Sequence, residues 1–178
     1  MPVSAFPGTI HVIDTLERCA EVLPEVCQAD LLGFDTETRP CFSKGRTNNV
    51  SLLQLSTDAT AWLFRINRIG LPDRLAEVLA SPHVLKVGNA VKQDVAALCR
   101  VHAFQPNAFV DLQQLTEQFG IVDNALSKLS AIVLGFRISK AQQLSNWEAE
   151  TLSAPQRLYA ATDAWVCWRI YRQLMDNK

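Results

Sequence analysis

No two cysteines in this 178-residue chain are spaced C-x-x-C, and no apolar run approaches the ~20 residues a membrane-spanning helix needs. The five cysteines (Cys19, Cys27, Cys41, Cys99 and Cys167) are scattered and odd in number. That excludes a disulfide frame or a cysteine zinc site and leaves them as reduced packing residues. The opening MPVSAFPGTI has no charged start followed by an apolar run, so no secretory signal is expected. A cytoplasmic location is expected, or a nuclear one in a eukaryote.

Glycine-rich nucleotide loops are also missing. There is no G-x-G-x-x-G and no G-x-x-x-x-G-K-[ST], which argues against a nucleotide-binding α/β protein and an organic cofactor. A G-x-S-x-G serine elbow is absent too. Charge of one sign is not in excess: the formal net charge is -1, so any polyanionic partner must be held locally.

Apolar side chains are what the chain does have, 48% of residues, enough to bury a sizeable core. Residues 9–13 read as a short edge strand. A helix from Asp14 follows, with Asp14 and Glu17 as its start signal and Pro24 near its end. Residues 30–36 read as a buried strand. VSLLQLS and TAWLFRI form two strands of a hairpin turning at Thr57–Ala59. Leu71–Ala80 is helical up to Ser81-Pro82, and residues 83–88 form a strand. Asn89 caps the helix after it. NAFVDL is a further strand, then come two helices, the second closed by Gly135. A long last helix opens at Ser153-Ala154-Pro155-Gln156, a capping box with early proline. Alternating helices and strands with one embedded hairpin imply one α/β domain over residues 1–178, a mixed sheet with helices on both faces.

Against this pattern three groups of acids are out of place. The strand ending GFDTET carries Asp35 and Glu37, which share a face ~6–7 Å apart. At ~4 Å and an effective dielectric near 20, two such charges repel by roughly 4 kcal/mol. The alternative is that the strand has ended and both acids are solvated in a loop. Asp94 sits in a core stripe otherwise made of Val91, Val95 and Leu98. Asp163 lies four residues after Tyr159 in a last helix that is apolar almost all round. Hard divalent cations resolve such crowding. An all-carboxylate set selects Mg2+ or Mn2+ over zinc, and His11, His83 and His102 lack ligand spacing. The chemistry that follows is two-metal hydrolysis of a phosphodiester.

The ordered motifs FDTET, VGNAVKQD and YAATD resemble the DEDD superfamily of 3′→5′ exonucleases, in the subgroup with tyrosine four residues before the last aspartate. The segments KGRTNNVSLLQLS and SKAQQLSNWEAETLSAPQRLYAATDAWVCWRIYRQL closely resemble Werner-type exonuclease domains. Ribonuclease D and the proofreading domain of bacterial DNA polymerase I are more distant. The resemblance implies a ribonuclease-H-like fold with a five-stranded mixed sheet. It implies Asp35, Glu37 and Asp163 around a first Mg2+, and Asp35 touching a second with Asp94 near it through water. Mn2+ would be able to substitute. It implies Tyr159 orienting the attacking water, and release of nucleoside 5′-monophosphates from a nucleic-acid 3′ end, DNA favoured over RNA. Thr38 would contact the terminal nucleotide. Lys44, Arg46 and Lys140, in polar loops, are candidate phosphate contacts. Trp147 reads as a packing anchor. A non-catalytic nucleic-acid-binding module of the same fold is the competing expectation, and an altered acid or a missing tyrosine would favour it.

Overall fold

The computed structural model describes all 178 residues. Its elements run β1 (Thr9–Ile13), α1 (Leu16–Val26), β2 (Leu31–Thr38), β3 (Val50–Ser56), β4 (Thr60–Phe64), α2 (Ile66–Ile69) and α3 (Asp73–Ala80). β5 (Leu85–Gly88), α4 (Val91–Val101), β6 (Phe109–Asp111), α5 (Leu112–Glu117), α6 (Leu126–Leu134) and α7 (Ala154–Asp176) complete the chain. No helix is long and apolar enough to cross a membrane.

The strands form one mixed sheet in the order β1-β4-β3-β2-β5-β6. The hairpins β2–β3 and β3–β4 are antiparallel, while β1, β5 and β6 join in parallel. Six strands stand where the family likeness implies five. One edge of the sheet is β1, paired with β4 from Thr9↔Thr60 to Ile13↔Phe64. The sheet order confirms the edge position read from the sequence.

The two faces of the sheet bury different layers. Leu53 and Leu55 of β3 point to the cluster containing α1, α3 and the Val91 and Leu98 side chains of α4. Leu52, one residue over, packs instead with Trp147, Ala160, Ala161, Trp165 and Val166 on the α7 side. A third cluster joins β5 to α5, α6 and the far half of α7. Helix α7 is therefore covered on more than one side, as its nearly continuous apolar surface requires. Its start is the expected capping box: the Gln156 N–H donates to Ser153 Oγ, and the Ser153 N–H donates to Gln156 Oε1.

Several boundaries differ from the sequence reading. The α1 cap is Thr15, whose hydroxyl accepts from the Arg18 N–H, and not Asp14. Asn89 does not cap α4; that position belongs to Ala90 in the left-handed region. The cysteines are all free, but only Cys19 and Cys167 are buried, and Cys27 is exposed. Core packing thus accounts fully for two of the five.

Candidate active site

β2 does not end before its acids. It stays paired with β3 through Asp35↔Gln54, Thr36↔Leu53 and Glu37↔Leu52, and the register slips only between Glu37 and Thr38. The solvated-loop alternative is therefore excluded. Strand alternation sends Gly33, Asp35 and Glu37 to one face, the face covered by α7. At Gly33 the helix comes in so close that a Cβ would stand 1.8 Å from the Ala164 carbonyl oxygen. Only glycine permits that approach. It sets Asp163, the residue before Ala164, against Asp35 and Glu37. One carboxylate oxygen from each of these three acids lies within 4.8 Å of the others.

No lysine, arginine or histidine makes an ion pair with any of the clustered acids. Burial, then the charges of Glu37, Asp163 and Asp94, hold the Asp35 carboxyl well above the ordinary range. Burial and then the charge of Asp163 push Glu37 up to about 9. Asp163 is raised to about 7, mainly by burial. Gln54, fully buried, donates its amide to Glu37 Oε1 at 3.3 Å and to the Ala160 carbonyl at 3.4 Å. It thus ties the β2 acid to α7.

Asp94 arrives by a different route. Thr36 faces the opposite side from its neighbours, and its hydroxyl donates to Asp94 Oδ1 at 2.6 Å. Asp94 therefore stands outside the three-acid group. Burial raises it to about 6. The start of its helix is held by Asp111 of β6, whose carboxylate accepts from the Ala90, Val91 and Gln113 N–H groups at 3.1, 3.3 and 3.0 Å. This remote cap accommodates Ala90 at φ 57°. Asn89 uses its side-chain amide to donate to the Asn124 carbonyl instead, at 2.9 Å.

The three acids and Tyr159 line a cavity of about 340 Å3, together with Thr36, Asn89, Ser139, Lys140 and Gln143, among others. The Tyr159 ring leans on fully buried Trp147, with centroids 5.9 Å apart, so Trp147 is the packing anchor expected. Burial, then the negative charge of Asp163, Glu37 and Asp35, keeps the phenol protonated. Of the four candidate substrate contacts, Lys140 lines the cavity. Thr38 is exposed at the strand end, and Lys44 and Arg46 are exposed in the β2–β3 loop, outside the lining. The sequence reading missed Thr36, Gln54, Asn89, Ser139 and Gln143. A signal existed for Gln54, a lone amide inside the apolar run VSLLQLS. Ser139 and Gln143 lie in an irregular stretch with no periodicity to mark them.

The acids offer only oxygen donors, crowd together, and have no protein cation to neutralise them. That donor set fits a divalent metal ion.

Known proteins share both the sequence pattern and the fold. Residues 10–177 match the model of a family described as 3′-5′ exonuclease. The chain is 28% identical over 184 residues to the mouse bifunctional 3′-5′ exonuclease/ATP-dependent helicase WRN, covering 98% of this chain and 13% of that protein. It is 36% identical over 153 residues to fruit-fly exonuclease 3′-5′ domain-containing protein 2, covering 83% of this chain and 26% of the relative. The chain thus spans about a quarter or less of the length of these two relatives. Among solved structures, the Aedes aegypti Nibbler EXO domain superposes with a TM-score of 0.84 at 26% identity, covering 95% of this chain and 90% of the domain. Escherichia coli RNase D shares the fold, with a TM-score of 0.83 at 23% identity over 94% of this chain and 44% of its own. The EXD2 exonuclease domain soaked in Mn aligns with a TM-score of 0.56 at 26% identity, over 94% and 89% of the two chains.

Proposed function

We propose, from the premise that this chain belongs to the 3′-5′ exonuclease family and carries its DEDD-type motifs, that it removes single nucleotides from nucleic-acid 3′ ends with the help of two divalent ions. The observation that carries this reading is the convergence of Asp35, Glu37 and Asp163 within 4.8 Å beside Tyr159, in a cavity with room for a nucleotide. Retention of all four acids and the tyrosine speaks against the non-catalytic module.

Asp35, Glu37 and Asp163 would hold one ion, and Asp35 with Asp94 would serve the second. When bound, Mg2+ or Mn2+ supplies positive charge that offsets the acids and stabilises charge developing on the phosphodiester. The remaining work falls to the chain's own groups. The Tyr159 hydroxyl keeps its proton at the oxygen and uses it to orient the attacking water. Water adds to phosphorus, the bond to the preceding 3′ oxygen breaks, and a nucleoside 5′-monophosphate departs. Trp147 fixes the tyrosine ring, while Gln54 and Thr36 hold Glu37 and Asp94 in place. Lys140, at the cavity wall, offers a contact to the terminal phosphate. Thr38 offers one to the terminal nucleotide.

DNA ends are the favoured substrate, by likeness to the Werner-type domain. The test is to incubate the protein with matched 3′-labelled DNA and RNA oligonucleotides, with Mg2+, Mn2+ or chelator. Mononucleotide release that needs the metal and is lost in Asp35→Ala supports the reading. Release that persists in chelator, or survives the substitution, overturns it. Greater turnover of the RNA strand would reverse the substrate preference alone.

A further inference from the structure

The loop joining β2 to β3, residues 39–49, starts two residues after Glu37 and is largely exposed. It carries Arg39, Lys44 and Arg46 and no acid, in a chain whose formal net charge is -1. Arg39 is partly engaged with Glu148 at 3.6 Å, whereas Lys44 and Arg46 form no ion pair. The Arg46 N–H donates to the Ser43 carbonyl at 3.3 Å and Gly45 takes φ 77°, so a turn holds the two cations at the loop tip.

Phe42 stands beside that turn, 88% exposed. It is the one aromatic among the large apolar side chains left exposed, and it makes no ring contact with another aromatic. Leaving a phenylalanine ring in water forgoes about 2 kcal/mol of burial. Two other exposed apolar side chains also lie near the cavity wall in sequence. Leu144, 74% exposed, follows cavity-lining Gln143, and Val122, 85% exposed, precedes cavity-lining Ala125 by three residues. An apolar ring flanked by unpaired cations is the pairing that stacks on bases and tracks phosphates of a single strand. Phe42 is five residues past Glu37, at most about 17 Å of chain. A strand stacked at 3.4 Å per nucleotide covers that distance in about five nucleotides, and an extended one in fewer.

We propose that this loop is a docking surface for an unpaired strand, with Phe42 stacking on a base upstream of the end being cleaved and Lys44 and Arg46 contacting the adjoining phosphates. The inference rests on the exonuclease reading. A base inside a duplex hides both faces in its stack, so the loop selects ends with several unpaired nucleotides, with little regard to sequence.

Two measurements test it. Fluorescence anisotropy of a labelled single-stranded DNA 10-mer in Ca2+ reads binding without depending on turnover. Phe42→Ala should raise Kd about tenfold, and Phe42→Trp should restore it, as expected when the lost contact is one stacked base. The ratio of kcat/KM for the 10-mer to that for a dinucleotide, too short to reach the loop, should fall by a similar factor in Phe42→Ala and return in Phe42→Trp. Kd and the ratio both unchanged in Phe42→Ala would overturn the docking role. So would a loss that Trp does not repair. If the wild-type protein releases no nucleotide from either substrate with Mg2+ or Mn2+, while its Kd still responds to Phe42, the exonuclease reading fails and the strand-docking surface stands.

Discussion

Thr36 hydrogen-bonds Asp94 at 2.6 Å across a strand whose two flanking acids face the other way. The single hydroxyl therefore ties α4, through Asp94, to the strand that carries Asp35 and Glu37. Thr36→Val keeps the shape and β propensity but removes the donor, leaving Asp94 free to turn. Activity is expected to fall about 10- to 100-fold, the range seen when a partner of a metal-site residue is lost. Thr36→Ser should recover most of it. A nuclease assay beside a thermal melt checks this, and an unchanged rate in the valine variant contradicts it.

Gly33→Ala is expected to damage fold and site together. The added Cβ would meet the Ala164 carbonyl oxygen at 1.8 Å, and neither partner is a flexible side-chain end. α7 must shift away, at a cost of about 3 kcal/mol or more. For a chain of this length that is a fall in Tm of about 6–12 °C. Metal affinity should weaken as well, because Asp163 moves with the helix. Calorimetric titration with Mn2+ reads the second effect, and full affinity in a folded variant would show that the close approach does not place Asp163.

The metal-free protein should lose stability as pH rises. Glu37 at about 9, Asp163 at about 7 and Asp94 at about 6 all titrate above their unfolded values near 4. Between pH 4 and 9 the folded state therefore binds more protons than the unfolded state, and stability drops with pH over that window. Added Mn2+ competes with those protons, so the stabilisation it confers should grow from pH 5 to pH 9. Melting curves in chelator and in Mn2+ at pH 5, 7 and 9 decide it. A flat metal-free Tm would mean the acids are not crowded.

Tyr159→Phe should lower the rate by about 10- to 1,000-fold while leaving Mn2+ binding within twofold. The ring and its contact with Trp147 remain, and only the hydroxyl goes, the group proposed to orient the attacking water. Loss of metal affinity instead would assign the tyrosine to holding the acids.

Particular residues show where reading the chain succeeded. The hairpin turn between VSLLQLS and TAWLFRI, the capping box at Ser153 and the closing Gly135 each act through neighbours a few residues away, so their structures follow from local pattern. Asn89 looked equally local and was misread. The cap for α4 is Asp111, more than twenty positions downstream, brought to Ala90 only by pairing of β6 with β5. Asp94 was grouped with the other acids because all four occupy apolar contexts. The strand period turns Thr36 away from Asp35 and Glu37, so Asp94, bonded to Thr36, lies outside the three-acid group while its charge still reaches Asp35 and Glu37.

By itself the sequence determined the order and kind of the main elements and pointed to five candidate side chains for the chemistry, because periodicity and residue type are local properties. Which oxygens meet was decided only in three dimensions. Asp35 and Asp163 are separated by more than a hundred residues, and their meeting depends on a helix backbone pressing against a side-chain-free position in a strand. Contacts of that kind depend on how whole layers pack, and no short stretch of chain encodes them.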